Sequence, residues 1–431
     1  MSRLLIKHAR VVDPSQRLDA GLDILIVDGK IARLAERIND GKAEVLDATR
    51  LIAAPGFIDL HVHLREPGYE YKETIASGSA AAVAGGFTAV CCMPNTQPVN
   101  DSAAVTEFIR SRAREADLCR VYPVGAVSKG LAGEELAEMG EMVRAGAVAF
   151  SDDGRPVANA YLMRRALEYS QLFGTPVVNH CEDPNLVAKG VMHEGVVATR
   201  LGLRGMPAAA EDVMVARDVI LSEMTGGRVH IAHISTSGAL DRVREAKGKG
   251  LPVTCEVTPH HLALTDEEVS TTGYDTNTKM NPPLRSADHL EALIGGVGDG
   301  TVDCLATDHA PHHADEKMQE FDLAPFGIVG LETALPVTYD LLVRRRKLPL
   351  RLFVALWSTN PARVFGLPGG TLKPGSPADI TLLDPETRLT VDPSRFRSLS
   401  RNTPFGGQKL RGWAAATIVG GRVVWRRERT A

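Results

Sequence analysis

The chain has 431 residues, of which 44% are hydrophobic and 24% are charged, and it carries a formal net charge of −4. That length suits one large α/β barrel with a smaller appendage as well as it suits two or three average domains. A small net charge without a basic stripe argues against a nucleic-acid partner.

The first segment of the chain predicts strands. Residues 1–54 contain the stretches LLIKHARVVD, DILIVDGKIARLA and EVLDATRLIAAPG, which are apolar runs separated by Asp-Gly and Gly turns. The N-terminal residues do not resemble a signal or transit peptide, and no apolar run approaches the roughly 20 residues that cross a bilayer. The six cysteines are scattered and mostly lie in apolar runs, as is typical of reduced cytosolic thiols. We therefore expect a cytoplasmic protein without a membrane segment.

In the central part of the chain, short apolar runs alternate with helix-like stretches such as AAVTEFIRSRAREA and YLMRRALEYSQLF. The eight runs are FIDLHVH (57–63), FTAVCCMP (87–94), VYPVGAV (121–127), AVAFSDDG (147–154), PVVNHCE (176–182), RVHIAHIS (228–235), PVTCEVTPHH (252–261) and VDCLATDHAP (302–311). Each run is almost continuously apolar, which is typical of a parallel strand covered on both faces. Eight such alternations predict a (β/α)8 barrel of the TIM type.

The last segment, residues 366–431, again contains strand-like runs, ADITLLDP and AAATIVGGRVVWRR. Neither β-rich end of the chain is large enough to fold alone. We therefore predict an α/β protein in which residues 1–54 and 366–431 pair into a small β-sandwich domain and residues 55–365 form the barrel.

Histidines gather at the C-terminal ends of the predicted barrel strands, where the active sites of such barrels lie. His61 and His63 are two residues apart in a strand, so both side chains face one side and can bind one ion. An HxH pair also occurs by chance at polar strand edges. His180 and His233 end the fifth and sixth strands, and a single strand-end histidine is more often a hydrogen-bonded core residue. Four imidazoles on one rim, however, favour a metal site.

Aspartates complete this set. Asp308 ends the eighth strand and can ligate a metal, accept a proton from bound water, or cap a helix. Asp152 and Asp153 end the fourth strand, and only one of them can join the metals because neighbouring strand residues face opposite ways. Four histidines and two aspartates suit zinc, with manganese or cobalt as alternatives, and six ligands fit two ions that share a carboxylate.

Seven motifs, in this order and spacing, resemble the dihydroorotases of the amidohydrolase superfamily: GFIDLHVHLREPG, MPNT, SDDG, NHCED, HISTS, NPPLR and TDHAPH. The resemblance covers nearly the whole chain. It implies a zinc-dependent cyclic-amide hydrolase that interconverts (S)-dihydroorotate and N-carbamoyl-L-aspartate in pyrimidine biosynthesis. In that family a hydroxide shared by two ions attacks the ring amide.

The resemblance also implies roles for the six metal ligands. The first-strand histidines would bind one zinc ion, and the histidines of strands five and six would bind the other. Asp308 would ligate metal and carry the proton as the catalytic acid and base. Many relatives bridge the ions with a carbamylated lysine at the end of strand four, but AVAFSDDG contains no lysine. The bacterial long-chain dihydroorotases, which this sequence most resembles, use the second aspartate instead, so the resemblance assigns the bridge to Asp153 and leaves the number of bound ions open.

Substrate binding follows from the same resemblance. Arg65 would bind the ring carboxylate of dihydroorotate, because a guanidinium can donate two hydrogen bonds to a carboxylate. The structural alternative is a salt bridge to Glu66 or to a neighbouring loop. The other implied substrate-binding residues are His63, Asn95, Asn281, His312, Phe326 and Gly327. The last two lie in the long segment after Asp308, which is typical of a lid, and would offer backbone amides.

Three histidines are expected to be structural: His230, and also His260 and His261, for which we expect buried hydrogen bonds. An allantoinase or hydantoinase is an alternative function, disfavoured by Arg65 and by the missing strand-four lysine. A non-catalytic dihydroorotase-like subunit of an aspartate transcarbamoylase complex is another, disfavoured because the metal-site residues are all present. A structural zinc protein would need a closed four-ligand site. The small-molecule substrate is the predicted partner, and the sequence leaves homo-oligomerisation and transcarbamoylase binding open.

Overall fold

The computed structural model describes residues 2–428, which contain eighteen strands. The first five are β1 (Arg3–Asp13), β2 (Leu18–Val27), β3 (Lys30–Ala35), β4 (Glu44–Asp47) and β5 (Ile52–Pro55). The central ten are β6 (Phe57–Val62), β7 (Phe87–Cys92), β8 (Arg120–Gly125), β9 (Ala149–Ser151), β10 (Val177–Asn179), β11 (Met192–His193), β12 (Gly205–Met206), β13 (Val229–Ile231), β14 (Val253–Val257) and β15 (Cys304–Leu305). The last three are β16 (Ile380–Thr390), β17 (Lys409–Val419) and β18 (Arg422–Arg426).

The two ends of the chain form one sheet. Its strand order is β18-β17-β16-β5-β1-β2-β3, and β4 pairs with β1 beside β5. The ends are joined by an antiparallel ladder between β16 and β5, in which Ile380 faces Pro55. Side chains from both ends, including Ile6, Ile24 and Ile418, share an apolar cluster. The predicted pairing of the β-rich ends is thereby confirmed, and the domain boundaries stay a prediction.

The central strands form the predicted barrel. Eight parallel strands follow the order β6-β7-β8-β9-β10-β13-β14-β15. A parallel bridge between Val62 and His309 brings the continuation of β15 alongside β6. Each of the eight predicted runs overlaps one of these strands, so the predicted (β/α)8 barrel is confirmed. The regular strands are shorter than the runs, since positive φ angles at His233 (30°) and Asp308 (48°) interrupt strand geometry.

Helices connect the barrel strands, and both stretches predicted as helical are helices. The helices are α1 (Ile75–Gly85), α2 (Ala103–Ala116), α3 (Met139–Ala145), α4 (Ala160–Ser170), α5 (Pro184–Val187), α6 (Val196–Leu201), α7 (Ala209–Thr225), α8 (Ser237–Gly248), α9 (Pro259–Ala263), α10 (Glu267–Thr271), α11 (Ala287–Asp299), α12 (Ala314–Lys317), α13 (Ala334–Thr338), α14 (Leu350–Val354) and α15 (Asn360–Phe365). Thr74 begins α1 with a capping box, in which its side chain accepts from the amide of Ser77. Within residues 2–428, no helix is long and apolar enough to span a membrane.

The two ends of the barrel differ in polarity. Apolar strand residues such as Ile58, Val124 and Val178 form one cluster with Val364 and Phe365 of α15, which fills one end. The strands run away from this plug, and their C-terminal ends carry the buried histidines and aspartates. The candidate site therefore lies at the end of the barrel opposite the apolar plug.

Candidate active site

Six buried side chains meet at the C-terminal ends of the barrel strands. They are the six predicted metal ligands: His61 and His63 from β6 and its end, Asp153 after β9, His180 after β10, His233 after β13 and Asp308 after β15. We call this group the metal cluster. The sheet brings them together because parallel strands end at one rim.

Asp153 lies at the centre of the metal cluster. Its Oδ1 is 3.2 Å from His61 Nε2, 3.5 Å from His233 Nε2 and 3.7 Å from His180 Nδ1. Its Oδ2 is 3.4 Å from His63 Nε2. Although burial raises the pKa of this carboxyl, the surrounding imidazoles lower it well below its ordinary value. One carboxylate thus contacts histidines from three different strands.

The neighbouring Asp152 faces away from the cluster. Its Oδ1 accepts hydrogen bonds from the amides of Val127 (2.8 Å) and Ser128 (3.0 Å). It therefore stabilises the loop after β8, and only Asp153 reaches the site. This is the division of roles that neighbouring strand residues require.

Asp308 closes the cluster on the other side. Its Oδ1 is 3.1 Å from His63 Nε2 and 3.6 Å from His61 Nε2. Burial raises the pKa of this carboxyl, but the hydrogen bond with His63 and the charge of His61 outweigh that effect and lower it. Asp308 is therefore ionised and can accept a proton. Its left-handed backbone is uncommon for a non-glycine residue and is typical of functional sites.

The cluster fits a metal centre. Two sets of three side chains have ligand atoms within 4.8 Å of one another: His61 with His63 and Asp308, and His61 with Asp153 and His233. His61 Nε2 and Asp153 Oδ1 are buried without a hydrogen-bond partner, which is costly unless another group satisfies them. Imidazole nitrogens and carboxylate oxygens are donors that zinc accepts.

His180 belongs to neither set of three, and its ligand role stays a prediction. Its Nδ1 lies 3.0 Å from His233 Nε2, so these two ring nitrogens face each other. On its other side, His180 Nε2 is 3.5 Å from Glu182 Oε2. Burial raises the pKa of Glu182, but His180 and the Asn281 amide lower it below its ordinary value. Asn281 Oδ1 is buried without a hydrogen-bond partner, so it is a free acceptor beside the cluster.

Glu256 in β14 orients His61 and was missed by the sequence analysis. Its Oε1 accepts from His61 Nδ1 at 2.8 Å, and its Oε2 accepts from His230 Nε2 at 3.2 Å. Burial raises the pKa of Glu256, but these hydrogen bonds lower it to about 2. Because Nδ1 of His61 donates to Glu256, Nε2 is the ring nitrogen that faces the cluster. A glutamate within the apolar run PVTCEVT was the available signal.

Asn95 orients the second histidine of the pair. Its Oδ1 accepts from His63 Nδ1 at 2.9 Å, which leaves Nε2 of His63 facing the cluster. Its Nδ2 donates to the backbone oxygen of Asp153 at 3.4 Å. The predicted contact of Asn95 with substrate stays a prediction, and the structure adds a contact with the metal cluster.

Arg65 is half-buried and makes no ion pair within residues 2–428. Its Nε donates to the backbone oxygen of Pro311 at 3.1 Å, and its Nη2 lies 3.5 Å from His312 Nε2. The alternative salt bridge to Glu66 is wrong, because Glu66 pairs with Arg112 at 2.7 Å. A guanidinium without a carboxylate partner at the barrel mouth suits an anionic group.

His312 and the loop of Phe326 lie beside this guanidinium. His312 Nε2 donates to the backbone oxygen of Phe326 at 2.8 Å. Burial, and then the charge of Arg65, lower the pKa of His312 to about 2, so this imidazole is neutral. The amide of Gly327 donates to the backbone oxygen of Lys279 at 2.9 Å. We predicted that the Gly327 amide would be free to bind substrate. In the structure it is instead hydrogen-bonded to Lys279.

The two histidines of α9 differ from each other. His261 is hydrogen-bonded as expected, with Nδ1 2.7 Å from Thr258 Oγ1 and Nε2 2.9 Å from the backbone oxygen of Pro282. His260 Nε2 is buried without a hydrogen-bond partner. The expectation of buried hydrogen bonds for both imidazoles is wrong for His260, whose pKa burial lowers to about 4.

Comparisons with known proteins agree with this geometry. Residues 49–239 match the family model described as Dihydro-orotase-like. The chain is 60% identical over 422 residues to a dihydroorotase of Anaeromyxobacter dehalogenans, covering 98% of this chain and 97% of the relative. It is 58% identical over 423 residues to a dihydroorotase of Pelotomaculum thermopropionicum, covering 98% of each.

A solved structure is similar over the whole length. The L-hydantoinase (dihydropyrimidinase) from Arthrobacter aurescens superposes with a TM-score of 0.90 at 27% identity, covering 100% of this chain and 98% of that chain. The similarity in structure is therefore shared with hydantoinases, while the similarity in sequence is much greater to dihydroorotases. The chain belongs to the dihydroorotase family of cyclic-amide hydrolases.

Proposed function

We propose that this enzyme catalyses the reversible hydrolysis of (S)-dihydroorotate to N-carbamoyl-L-aspartate, whose reverse is the ring-closing step of pyrimidine biosynthesis. The observation that carries the proposal is Arg65, a half-buried guanidinium without an ion pair in residues 2–428, beside a cluster of four histidines and two aspartates. Dihydroorotate has a ring carboxylate that would pair with this charge. Hydantoins, allantoin and dihydrouracil have none.

We further propose that the metal cluster holds two zinc ions. The two sets of three buried donors and the unsatisfied buried atoms of His61 and Asp153 support a metal centre here, and the second ion follows the family resemblance, in which a carboxylate bridges two ions. When bound, zinc supplies Lewis acidity, which polarises a carbonyl group and lets water ionise near neutral pH. Glu256 and Asn95 hold the first-strand imidazoles in the tautomer that presents Nε2 to the ions.

The protein side chains then divide the work. Asp308, ionised and 3.1 Å from His63, accepts the proton of the attacking water and returns it to the departing ring nitrogen. Arg65 pairs with the ring carboxylate, and the neutral His312 lies beside its guanidinium, so that one ring carbonyl faces the cluster. Asn281, with a free buried Oδ1, is placed to accept a ring N–H group.

Metal analysis with parallel assays on three rings tests the proposal. We expect zinc in the purified enzyme and a kcat/KM for dihydroorotate at least about a hundredfold above those for dihydrouracil and allantoin, because the site would otherwise leave a guanidinium unpaired. Comparable or greater activity on either carboxylate-free ring would overturn the assignment in favour of a hydantoinase or allantoinase. Absence of turnover on all three would favour a non-catalytic subunit.

We also propose a cytoplasmic location. All six cysteines lie in the described residues, and each is buried and unpaired there, as suits a reducing compartment. Three states of assembly are open: a monomer, a homo-oligomer, and a complex with aspartate transcarbamoylase. Light scattering of the enzyme with and without aspartate transcarbamoylase distinguishes them.

A further inference from the structure

A segment from the C-terminal part of the chain crosses the barrel mouth beside Arg65 and His312. Residues 398–402, here called the crossing segment, lie between β16 and β17. That part of the chain was predicted to belong to the β-sandwich domain. The crossing segment nevertheless ends in Asn402, which is only 6% exposed and lies among the loops of the barrel mouth.

Asn402 satisfies three backbone groups with one side-chain amide. Its Oδ1 accepts from the amide of His312 at 3.2 Å. Its Nδ2 donates to the backbone oxygens of Ala310 and Gly327, both at 3.1 Å. Its own backbone oxygen accepts from the amide of Val329 at 2.9 Å. One acceptor facing a donor and two donors facing acceptors is a pattern that an amide can satisfy and a carboxylate cannot.

The backbone groups held by Asn402 belong to the residues around the guanidinium. His312 lies 3.5 Å from Arg65 Nη2 and donates to the backbone oxygen of Phe326. Gly327 has a φ of 112°, and a Cβ atom there would lie 2.6 Å from Ala310 Cβ. The backbone segments around Ala310 and Gly327 are therefore too close for any residue other than glycine at position 327. The Asn402 amide joins them at this contact, next to the direct backbone hydrogen bond from Ala310 to Ile328 (2.8 Å).

The other end of the crossing segment is anchored at a second buried point. The carboxylate of Glu73, which is fully buried, accepts hydrogen bonds from Ser398 Oγ and from the amide of Leu399, the latter at 3.2 Å. Its Oε2 is also 3.3 Å from His309 Nε2. The segment is therefore held at both ends, and Asn402 cannot shift without breaking contacts with the barrel.

We infer that Asn402 is a positioning residue for recognition of the substrate carboxylate. It fixes the backbone of His312 and Gly327, and through them it keeps the His312 imidazole next to the Arg65 guanidinium. Within residues 2–428 it makes no hydrogen bond to the metal cluster. Its effect is thus on carboxylate binding and not on metal binding. The inference rests on the proposed function, since it concerns the same substrate.

Asn402→Asp is the sharpest test. The substitution keeps the shape but removes two donors and places a carboxylate against two carbonyl oxygens. We expect the KM for dihydroorotate to rise about tenfold or more, as is typical when an orienting contact is lost. Bound zinc stays unchanged and kcat changes little. The inhibition constant of N-carbamoyl-L-aspartate rises similarly, whereas that of N-carbamoyl-β-alanine, which lacks the second carboxylate, does not.

Two further variants keep the test decisive. Asn39→Asp makes the same chemical change at an exposed residue of the outer sheet region and should leave every constant unchanged. Asn402→Ala removes the donors without adding charge, and it replaces Asn402→Asp if that variant does not fold. The inference is overturned if a folded Asn402 variant has an unchanged KM for dihydroorotate. It is also overturned if N-carbamoyl-L-aspartate and N-carbamoyl-β-alanine are weakened equally. Wild-type enzyme inactive on dihydroorotate would instead overturn the proposed function.

Discussion

The metal cluster and the carboxylate pocket, which comprises Arg65, His312 and Phe326, lie side by side but are built from different parts of the fold. Every member of the cluster stands at a strand end, so sheet register sets its position. The pocket is formed by loops whose spacing depends on hydrogen bonds with a distant segment. Under the proposed function, the rigid rim would carry the reactive groups and the loops would select the substrate, so the difference would separate chemistry from specificity.

The largest expected effect is on the cluster side. Asp308→Asn should keep zinc bound but lower kcat by at least about a thousandfold, because an amide cannot accept the proton of water. Steady-state kinetics on dihydroorotate and metal analysis of the same sample measure both quantities. A kcat within about tenfold of wild type would show that Asp308 is not the proton carrier.

The pocket side should respond in KM. Arg65→Asn is expected to raise the KM for dihydroorotate about a hundredfold with zinc content unchanged, since a charged hydrogen-bonded partner of the carboxylate is lost. Arg37→Asn is the matched control, because Arg37 is exposed in the region of the outer sheet and should leave KM as it is. An equal loss in both variants would assign the carboxylate contact elsewhere.

Glu256→Gln should confine its effect to the cluster. Loss of the charged acceptor for His61 Nδ1 is expected to weaken zinc binding by about ten- to a hundredfold. With zinc in excess, the KM for dihydroorotate should return to the wild-type value. A KM that stays raised at saturating zinc would mean that the two regions are coupled, contrary to the comparison.

The same contrast explains what the sequence could predict. His61 and His63 were predictable because strand periodicity and a common rim determine which side chains meet, whereas the choice of Asp153 over Asp152 came from the family resemblance. Glu256 was missed because one acid in an apolar run does not reveal its partner. Asn402 could not be found, since its contacts are to backbone groups of loops distant in sequence and loop conformation follows no periodicity.

Gly327 illustrates the same limit from the other side. The resemblance assigned its amide to the substrate, whereas the structure pairs that amide with Lys279. Family motifs thus located the loop correctly at the barrel mouth but did not determine which of its backbone groups are free. That depends on tertiary hydrogen bonds, which the motif does not encode.

The smallest expected effect is a pH dependence confined to the pocket loop. Lys317 Nζ donates to the backbone oxygens of Pro325 (2.9 Å) and Gly327 (3.1 Å). Burial, and then the charge of Lys279, lower the pKa of Lys317 from 10.5 to about 7, against the raising effect of the acidic groups facing it, Asp275 and Glu316. The buried charge therefore destabilises the folded state fully below about pH 7.

Between about pH 7 and the ordinary pKa of 10.5 the unfolded chain binds more protons than the folded one, so this penalty falls as pH rises. Lys317→Met removes the buried charge and both hydrogen bonds. The effect of removing the charge depends on pH, whereas the effect of losing the hydrogen bonds does not. The Tm of the variant minus that of wild type should thus be more positive at about pH 6 than at about pH 9. Lys189→Met, at an exposed lysine, should show no such difference. Parallel pH curves for Lys317→Met and wild type would mean that burial does not destabilise the charged form of this ammonium.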